Sequence, residues 1–227
     1  MEVKKDNIGI SKATIARLPA YLRYLKEKQA KGEKKASSTA IAEEMHLNAV
    51  QVRKDLALVS SVAGKPKLGF EITDLIEDIN RFLGYDNTTD AVIVGVGGLG
   101  KALLGYGGFR NYGLNIVAAF DTAPKLIGKK ISSVTVQSAD KIQEFVRRQS
   151  VKIGIICVPK EFAQSVADEL VEGGVRAIWN FAPVDLNLPE GVAVNNVHLS
   201  DSLHILSYRM NEKELFAAID AGKQQRD

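Results

Sequence analysis

Apolar positions in the first third of the chain recur with a helical period. Between Ser11 and Gln29, Ile15, Leu18, Leu22 and Leu25 fall three and four residues apart, with Lys12, Arg17, Arg23 and Lys26 elsewhere on the wheel. This predicts an amphipathic helix that buries the four apolar side chains. Ser37 or Ser38 is placed to cap a second, short helix in which Ala40, Ile41 and Met45 face inward. His46-Leu47-Asn48 supplies a turn, and a third helix is expected over Ala49–Val59. Its apolar side holds Val52, Leu56 and Val59, and Gln51, Arg53, Lys54 and Asp55 occupy the other faces. Helix, short turn, helix is the plan of a helix-turn-helix. Two glycines, a proline, Lys65 and Lys67 make the stretch 63–70 a tight basic hairpin, a wing. Thr73–Leu83 reads as a further amphipathic helix with Leu75, Ile76, Ile79 and Phe82 inward, and the polar, turn-rich Gly84–Thr89 follows as a linker.

Beyond the linker the pattern changes to short runs apolar on both faces, as in parallel strands covered on each side. Asp90–Val94 runs into Gly95-Val96-Gly97-Gly98-Leu99-Gly100, which fits G-x-G-x-x-G, and Lys101–Leu104 continues as helix. A second strand, Asn115–Phe120, ends at Asp121, 21 residues after Gly100. Further units follow: Val134–Val136 with a helix over Ala139–Arg148, Val151–Val158 with Glu161–Glu172, and the strand Val175–Asn180. This alternation predicts a doubly wound parallel sheet with helices on both faces. Ser200–Ala221 closes the chain as an amphipathic helix broken near Asn211, with Leu203, Leu206, Met210, Leu215, Phe216 and Ile219 as its stripe. That stripe needs a partner, either its own sheet or a second subunit.

Charge sharpens the division. Residues 1–67 carry 14 Lys and Arg against 7 Asp and Glu, a net of +7, whereas the remainder has a net of −4. A basic end beside an acidic remainder suits a nucleic-acid domain joined to one that binds something else, although a solvated basic helix has the same charge. No apolar segment follows the charged start Met1–Asp6, and one cysteine, Cys157, cannot form an intramolecular disulfide. The cytoplasm is therefore the expected address. Every apolar stretch is interrupted before the roughly 18 residues of a membrane span, so no membrane partner is expected. No cluster suggests a metal.

In a helix-turn-helix the second helix enters the major groove with its N-terminal residues against base edges. Gln51 suits adenine, Arg53 suits guanine, and Lys54, Ser37 and Ser38 suit phosphates, as do Lys65 and Lys67 on the wing. A small helical packing domain with a basic face would share the same spacing. In the second half Gly95 allows the tight turn, Gly97 lets a pyrophosphate approach the backbone, and Gly100 lets helix and strand pack closely. The helix N-terminus, with Val96, Gly98 and Leu99 around it, would face the phosphates. Asp121 would accept hydrogen bonds from ribose hydroxyls and repel a 2′-phosphate, favouring NAD(H) over NADP(H). Cys157-Val158-Pro159 and Asn180-Phe181-Ala182-Pro183 fall at strand carboxyl ends as pocket walls, with Cys157 as a small buried hydrophobe. A dehydrogenase would also need a catalytic acid or base and a substrate domain. The three histidines, His46, His198 and His204, lie elsewhere, and no separate domain remains after Asn180. A dehydrogenase with an accessory helical domain, and a regulator sensing coenzyme A or another nucleotide, remain as alternatives.

Several motifs together resemble the Rex family of bacterial redox-sensing transcriptional repressors: Ala13–Pro19 with Tyr21–Leu25, Ser37-Ser38, Gln51–Leu56, Gly95–Gly100, Phe120-Asp121, Val158-Pro159, Asn180–Pro183 and Leu206-Ser207-Tyr208. The resemblance covers nearly the whole chain. It implies a non-enzymatic homodimer that binds inverted-repeat operator DNA through N-terminal winged-helix domains and NAD(H) through Rossmann-like domains. It also implies a C-terminal helix exchanged between subunits, and DNA release by NADH. Residues 1–85, 86–199 and 200–227 are the corresponding parts. In the family an Arg of the first helix, a Tyr after the glycine loop and an Asp before the last helix form an intersubunit switch. Arg17 and Tyr106 match the first two; His198 stands where the Asp is expected. Tyr106, Val158, Pro159, Asn180 and Phe181 join the cofactor site on the same ground. The family's aromatic and glycine-rich run after Leu56 is replaced here by Ala57–Ala63.

Overall fold

A computed structural model describes residues 10–61 and 69–224, the last part, 213–224, by its backbone alone. Lys65 and Lys67 of the wing, the charged start, and the side chains of Leu215, Phe216 and Ile219 lie outside the described residues. Two units divide the chain, residues 1–87 and 88–227.

The first unit is built on α1 (Lys12–Ala30), α2 (Ser38–Glu44), α3 (Ala49–Val59) and α4 (Ile72–Leu83), with β1 (Lys35–Ala36) paired antiparallel to β2 (Phe70–Glu71). Each of the first three helices begins at a side-chain cap: Ser11 Oγ accepts from the Thr14 amide, Ser37 Oγ from Ala40, and Asn48 Oδ1 from Val50. His46, with a left-handed φ of 53°, turns the chain between α2 and α3. Leu18, Leu22, Leu25, Ile41, Val52, Leu56, Leu75, Ile76 and Ile79 form the core with Tyr21 and Tyr24. Two side chains expected inside are not there: Ile15 is 43% exposed and Phe82 37% exposed. Asp55, expected on a solvent face, is fully buried. A second buried acid, Asp78, accepts from the Ser61 amide and hydroxyl at 2.7 and 2.8 Å and from Arg81 at 3.1 Å, which ties the end of α3 to α4.

The second unit has a seven-stranded sheet in the order β5-β6-β4-β3-β7-β8-β9. These are β3 (Thr89–Val94), β4 (Leu114–Asp121), β5 (Lys130–Ile131), β6 (Val134–Ser138), β7 (Ile153–Ile156), β8 (Ala177–Asn180) and β9 (Ala193–Asn196). All neighbours are parallel except the short edge strand β5 against β6. One face packs on α6 (Ile142–Gln149) and α7 (Lys160–Gly173), with Val92, Val94, Phe120, Val146 and Leu170 at its centre. The other meets α5 (Gly98–Gly105), with Ala91, Ile93, Leu104 and Ile155 between them. Residues 139–141, expected as the first turn of a helix, form a separate 3₁₀ turn before α6, and β5, β9 and the 3₁₀ turn Gly107–Tyr112 are additions to the expected plan. The terminal helix α8 (Leu199–Gln224) runs without a break at Asn211. Leu199, Leu203, Ile205, Leu206, Tyr208 and Met210 on it are 51–74% exposed, so its own sheet does not cover them.

Candidate functional sites

The chain leaves β3, builds outward through β4 and β6, and returns to β7 on the other side of β3. The carboxyl ends of β3 and β7 therefore form the switch-point crevice in which open α/β sheets bind ligands. The glycine loop stands there. Gly95 has φ +92°, and a Cβ on it would come within 2.5 Å of the Cys157 carbonyl oxygen, so only glycine fits. Gly100 lies against the Gly95 carbonyl with no room for a side chain, which brings α5 onto the strand end. Gly97 differs: a Cβ there meets nothing within 4 Å, leaving an open cradle before the first turn of α5. A dinucleotide's pyrophosphate fits such a space, with Gly98 and Leu99 supplying helix N-terminal amides.

Asp121 ends β4 beside this loop. Its Oδ2 accepts from the Val96 amide at 2.7 Å and its Oδ1 from the Ala123 amide at 2.8 Å, so one carboxylate ties the glycine loop to the end of β4. Val158 touches the Gly95 turn, and Pro159 precedes α7. Burial pushes the Cys157 thiol up to about 12, which keeps it a thiol and removes it as a redox nucleophile.

Two expected cofactor residues are placed otherwise. Asn180 is buried and spent on its own loop: Nδ2 donates to the Val184 and Ala182 carbonyls and to Asn196 Oδ1, and Oδ1 accepts from the Ala182 amide. It shapes the loop that carries Phe181. Tyr106 stands at the far end of α5, about 12 Å along the helix axis from the loop by helical rise. There it meets Phe109, at 4.8 Å between ring centres, in a cavity of about 600 Å³. Leu114, Ile153, Ala177 and Ala193, the first residues of β4, β7, β8 and β9, line the same cavity. That is the amino edge of the sheet, opposite the glycine loop.

In the first unit Arg53 and Lys54 are exposed on α3, as is Gln51 in its first turn. Ser37 is exposed, but Ser38 is buried, which removes it from any phosphate. The unexpected centre is Asp55. Its carboxylate accepts from Arg17 Nε at 2.7 Å and a terminal Arg17 nitrogen at 2.9 Å, Tyr21 Oη at 2.9 Å, Thr14 Oγ1 at 3.2 Å and Gln51 Nε2 at 2.9 Å. Burial alone would raise this carboxyl, but the bonds from Arg17, Tyr21 and Gln51 outweigh it and hold it below the usual carboxylate range. The bond to Asp55 raises the Arg17 guanidinium, and burial, joined by the bond to Asp55, pushes the Tyr21 phenol up to about 12.

A redox-sensing transcriptional repressor Rex from a Thermoanaerobacter strain is 42% identical over 207 residues, 91% of this chain and 92% of its own. The chain belongs to the Rex family. A family model named CoA binding domain matches residues 86–184, and one named "Putative DNA-binding protein N-terminus" matches residues 9–57. Among solved structures, RSP, a Rex-family repressor, in complex with β-NAD⁺ and operator DNA is 42% identical, with a TM-score of 0.87 over 93% of this chain and 97% of that one. RSP in complex with β-NADH is 41% identical, with a TM-score of 0.85 over 93% and 99%.

Of the residues expected to form a switch, Arg17 is engaged within its own unit by Asp55. His198 lies 3.3 Å through Nε2 from Asp185 Oδ1, which also accepts from Asn196 at 2.8 Å. The acid that meets His198 is thus Asp185, supplied by the loop after β8, while Asp201 stands in the first turn of α8. Among the described residues no group of His, Cys, Asp and Glu is arranged to hold a metal.

Proposed function

We propose that this Rex-family chain is a cytoplasmic, homodimeric repressor that binds inverted-repeat operator DNA through α3 and is released by NADH bound at the crevice of its sheet. It is a regulator, as its relatives are, and not an enzyme. The observation that carries the reading is the union in one chain of a capped, basic recognition helix and an open glycine cradle at a sheet's switch point. No helix among the described residues is long and apolar enough to cross a membrane. The uncovered apolar face of α8 supports its exchange onto a second subunit, since such a face gains stability only when something covers it. Gel shift on operator-like inverted repeats with NAD⁺, NADH or neither tests the reading. Retardation that NADH abolishes supports it, and retardation indifferent to both nucleotides overturns the redox response. Coenzyme A as a competitor addresses the alternative raised by the family model over 86–184.

Two substitutions separate the sites. Arg53→Ala should weaken specific DNA binding by about 1–3 kcal/mol, the worth of a bidentate base contact, and leave NADH binding unchanged. Titrating both ligands checks it, and undiminished operator affinity removes Arg53 from the interface. Asp121→Ala should lower NADH affinity by about 1.5–3 kcal/mol and narrow the preference over NADPH. It takes away both the ribose acceptor and the bond that holds the Val96 amide. An unaltered NADH to NADPH ratio in calorimetry would end the ribose assignment.

A further inference from the structure

Gln51 lies on the solvent side of α3, yet its amide is not free to turn. Nε2 donates to Asp55 Oδ1 at 2.9 Å one helical turn on. An ionised carboxylate only accepts, so the amide nitrogen must face Asp55 and Oε1 must face away. Most exposed pairs at this spacing are loose. This acceptor is not, because Asp55 is fully buried and gripped by two Arg17 nitrogens, the Tyr21 hydroxyl and the Thr14 hydroxyl, all from α1.

What remains on Gln51 is one N–H and the carbonyl oxygen. Adenine presents N7 as acceptor and its N6 amino group as donor in the major groove, and a glutamine amide satisfies both together. Guanine presents two acceptors, N7 and O6, so an outward Oε1 meets O6 oxygen to oxygen. An unrestrained glutamine can turn its amide over and donate to guanine. One held by Asp55 cannot turn over: its free N–H can reach N7, but Oε1 stays opposed to O6.

We propose that Asp55 is a positioning residue that locks the Gln51 amide so that it reads adenine and rejects guanine at one base pair of each half-site. The inference rests on the reading that α3 enters the major groove. It adds a specificity element built jointly by α1 and α3, in which α1 reaches the base only through Asp55. Because the rotamer is set before DNA arrives, the contact forms without the usual loss of side-chain freedom.

The test begins with an operator obtained by selecting full-length protein on randomised duplexes. Each A·T pair of a half-site is then replaced by G·C, and affinities are measured for wild type, Gln51→Ala and Asp55→Asn. One pair per half-site should cost the wild type about tenfold or more, within the range for losing a bidentate contact. The same replacement should cost Gln51→Ala less than about twofold. In Asp55→Asn, whose neutral amide tolerates either orientation of Gln51, the preference should fall to about threefold or less while the salt dependence of binding stays as in wild type. A merely structural role for Asp55 would lower all affinities and keep the ratio, and a kept ratio overturns the proposal. Should Asp55→Asn not fold, ¹⁵N relaxation of the Gln51 side-chain amide in free wild-type protein decides. Order near that of the backbone supports the lock, and mobility like that of an exposed glutamine overturns it. Failure of the wild type to select any duplex would instead sink the DNA-binding reading. A selected operator with no pair that depends on Gln51 sinks this inference alone.

Discussion

Gly97→Val should abolish NADH binding in a protein that folds and still binds its operator. At Gly97 φ is −74°, ordinary for an L-residue, and a Cβ there meets nothing within 4 Å, so the chain tolerates the side chain. The cradle does not. A branched group would stand in front of the α5 amides where the pyrophosphate must approach the backbone, and affinity should fall about a hundredfold or more, roughly 3 kcal/mol. Gly100→Val is the contrasting control. Its side chain would collide with the Gly95 carbonyl, so the loss there is of the fold itself. Calorimetry with NADH, beside a thermal melt, separates the two. Wild-type NADH affinity in folded Gly97→Val would place the cofactor elsewhere.

Arg17→Ala should destabilise the DNA-binding unit by about 3 kcal/mol, the lower end of the cost of leaving one partner of a buried ion pair alone. The lower end applies because Arg17 is itself 24% exposed, whereas Asp55 is not exposed at all. The pH dependence has a definite sign. Burial raises the Asp55 carboxyl, but Arg17, Tyr21 and Gln51 together hold it below its ordinary value. A carboxyl lowered in the folded state contributes stability above its unfolded value near 4, and that contribution is lost as the pH falls through the lower, folded value. In the wild type the contribution should survive down to pH values below the ordinary carboxylate range. Without Arg17, burial has less opposing it, so the folded value rises, the contribution shrinks and it is exhausted at a higher pH. Hydrogen exchange of the α1 and α3 amides against pH reports this unit by itself. An acid profile of Arg17→Ala that matches wild type would contradict the account of Asp55.

The parts read correctly from sequence are those fixed by local chemistry. Ala49–Val59 has its bounds because Asn48 caps one end and the apolar period stops at the other. The glycine loop was legible because its backbone requires glycine at Gly95 and Gly100 whatever surrounds it. Asp55 was misplaced because a periodic reading sends polar residues outward. A signal was present all the same: position 55 lies three after Val52 and four before Val59, within the apolar stripe, and Thr14, Arg17 and Tyr21 share one face of α1. Ile15 fails in the opposite direction, since α1 turns Thr14, Leu18, Tyr21 and Leu25 to the core. Tyr106 is only six residues from Gly100 along the chain, but helical rise carries it to the other edge of the sheet. At Asn180 the pattern shows the loop but not the bonds its side chain makes there, because no pattern distinguishes an amide that staples a turn from one that awaits a ligand. The stripe on α8 was visible, and what covers it was not, since a pattern describes a face and not its partner.

On the proposed reading the crevice at Gly97 and the helix at Arg53 belong to one switch. The direct measurement is fluorescence anisotropy of a labelled operator duplex titrated with the full-length protein, without nucleotide, with NAD⁺ and with saturating NADH, in wild type and in Gly97→Val. Wild type should bind tightly without nucleotide and with NAD⁺, and NADH should weaken binding about tenfold or more, a coupling of about 1.4 kcal/mol or more. In Gly97→Val the operator affinity should be retained and the NADH effect lost. Equal operator affinity with and without NADH in a wild-type protein shown to bind both ligands would mean that the two sites are not coupled.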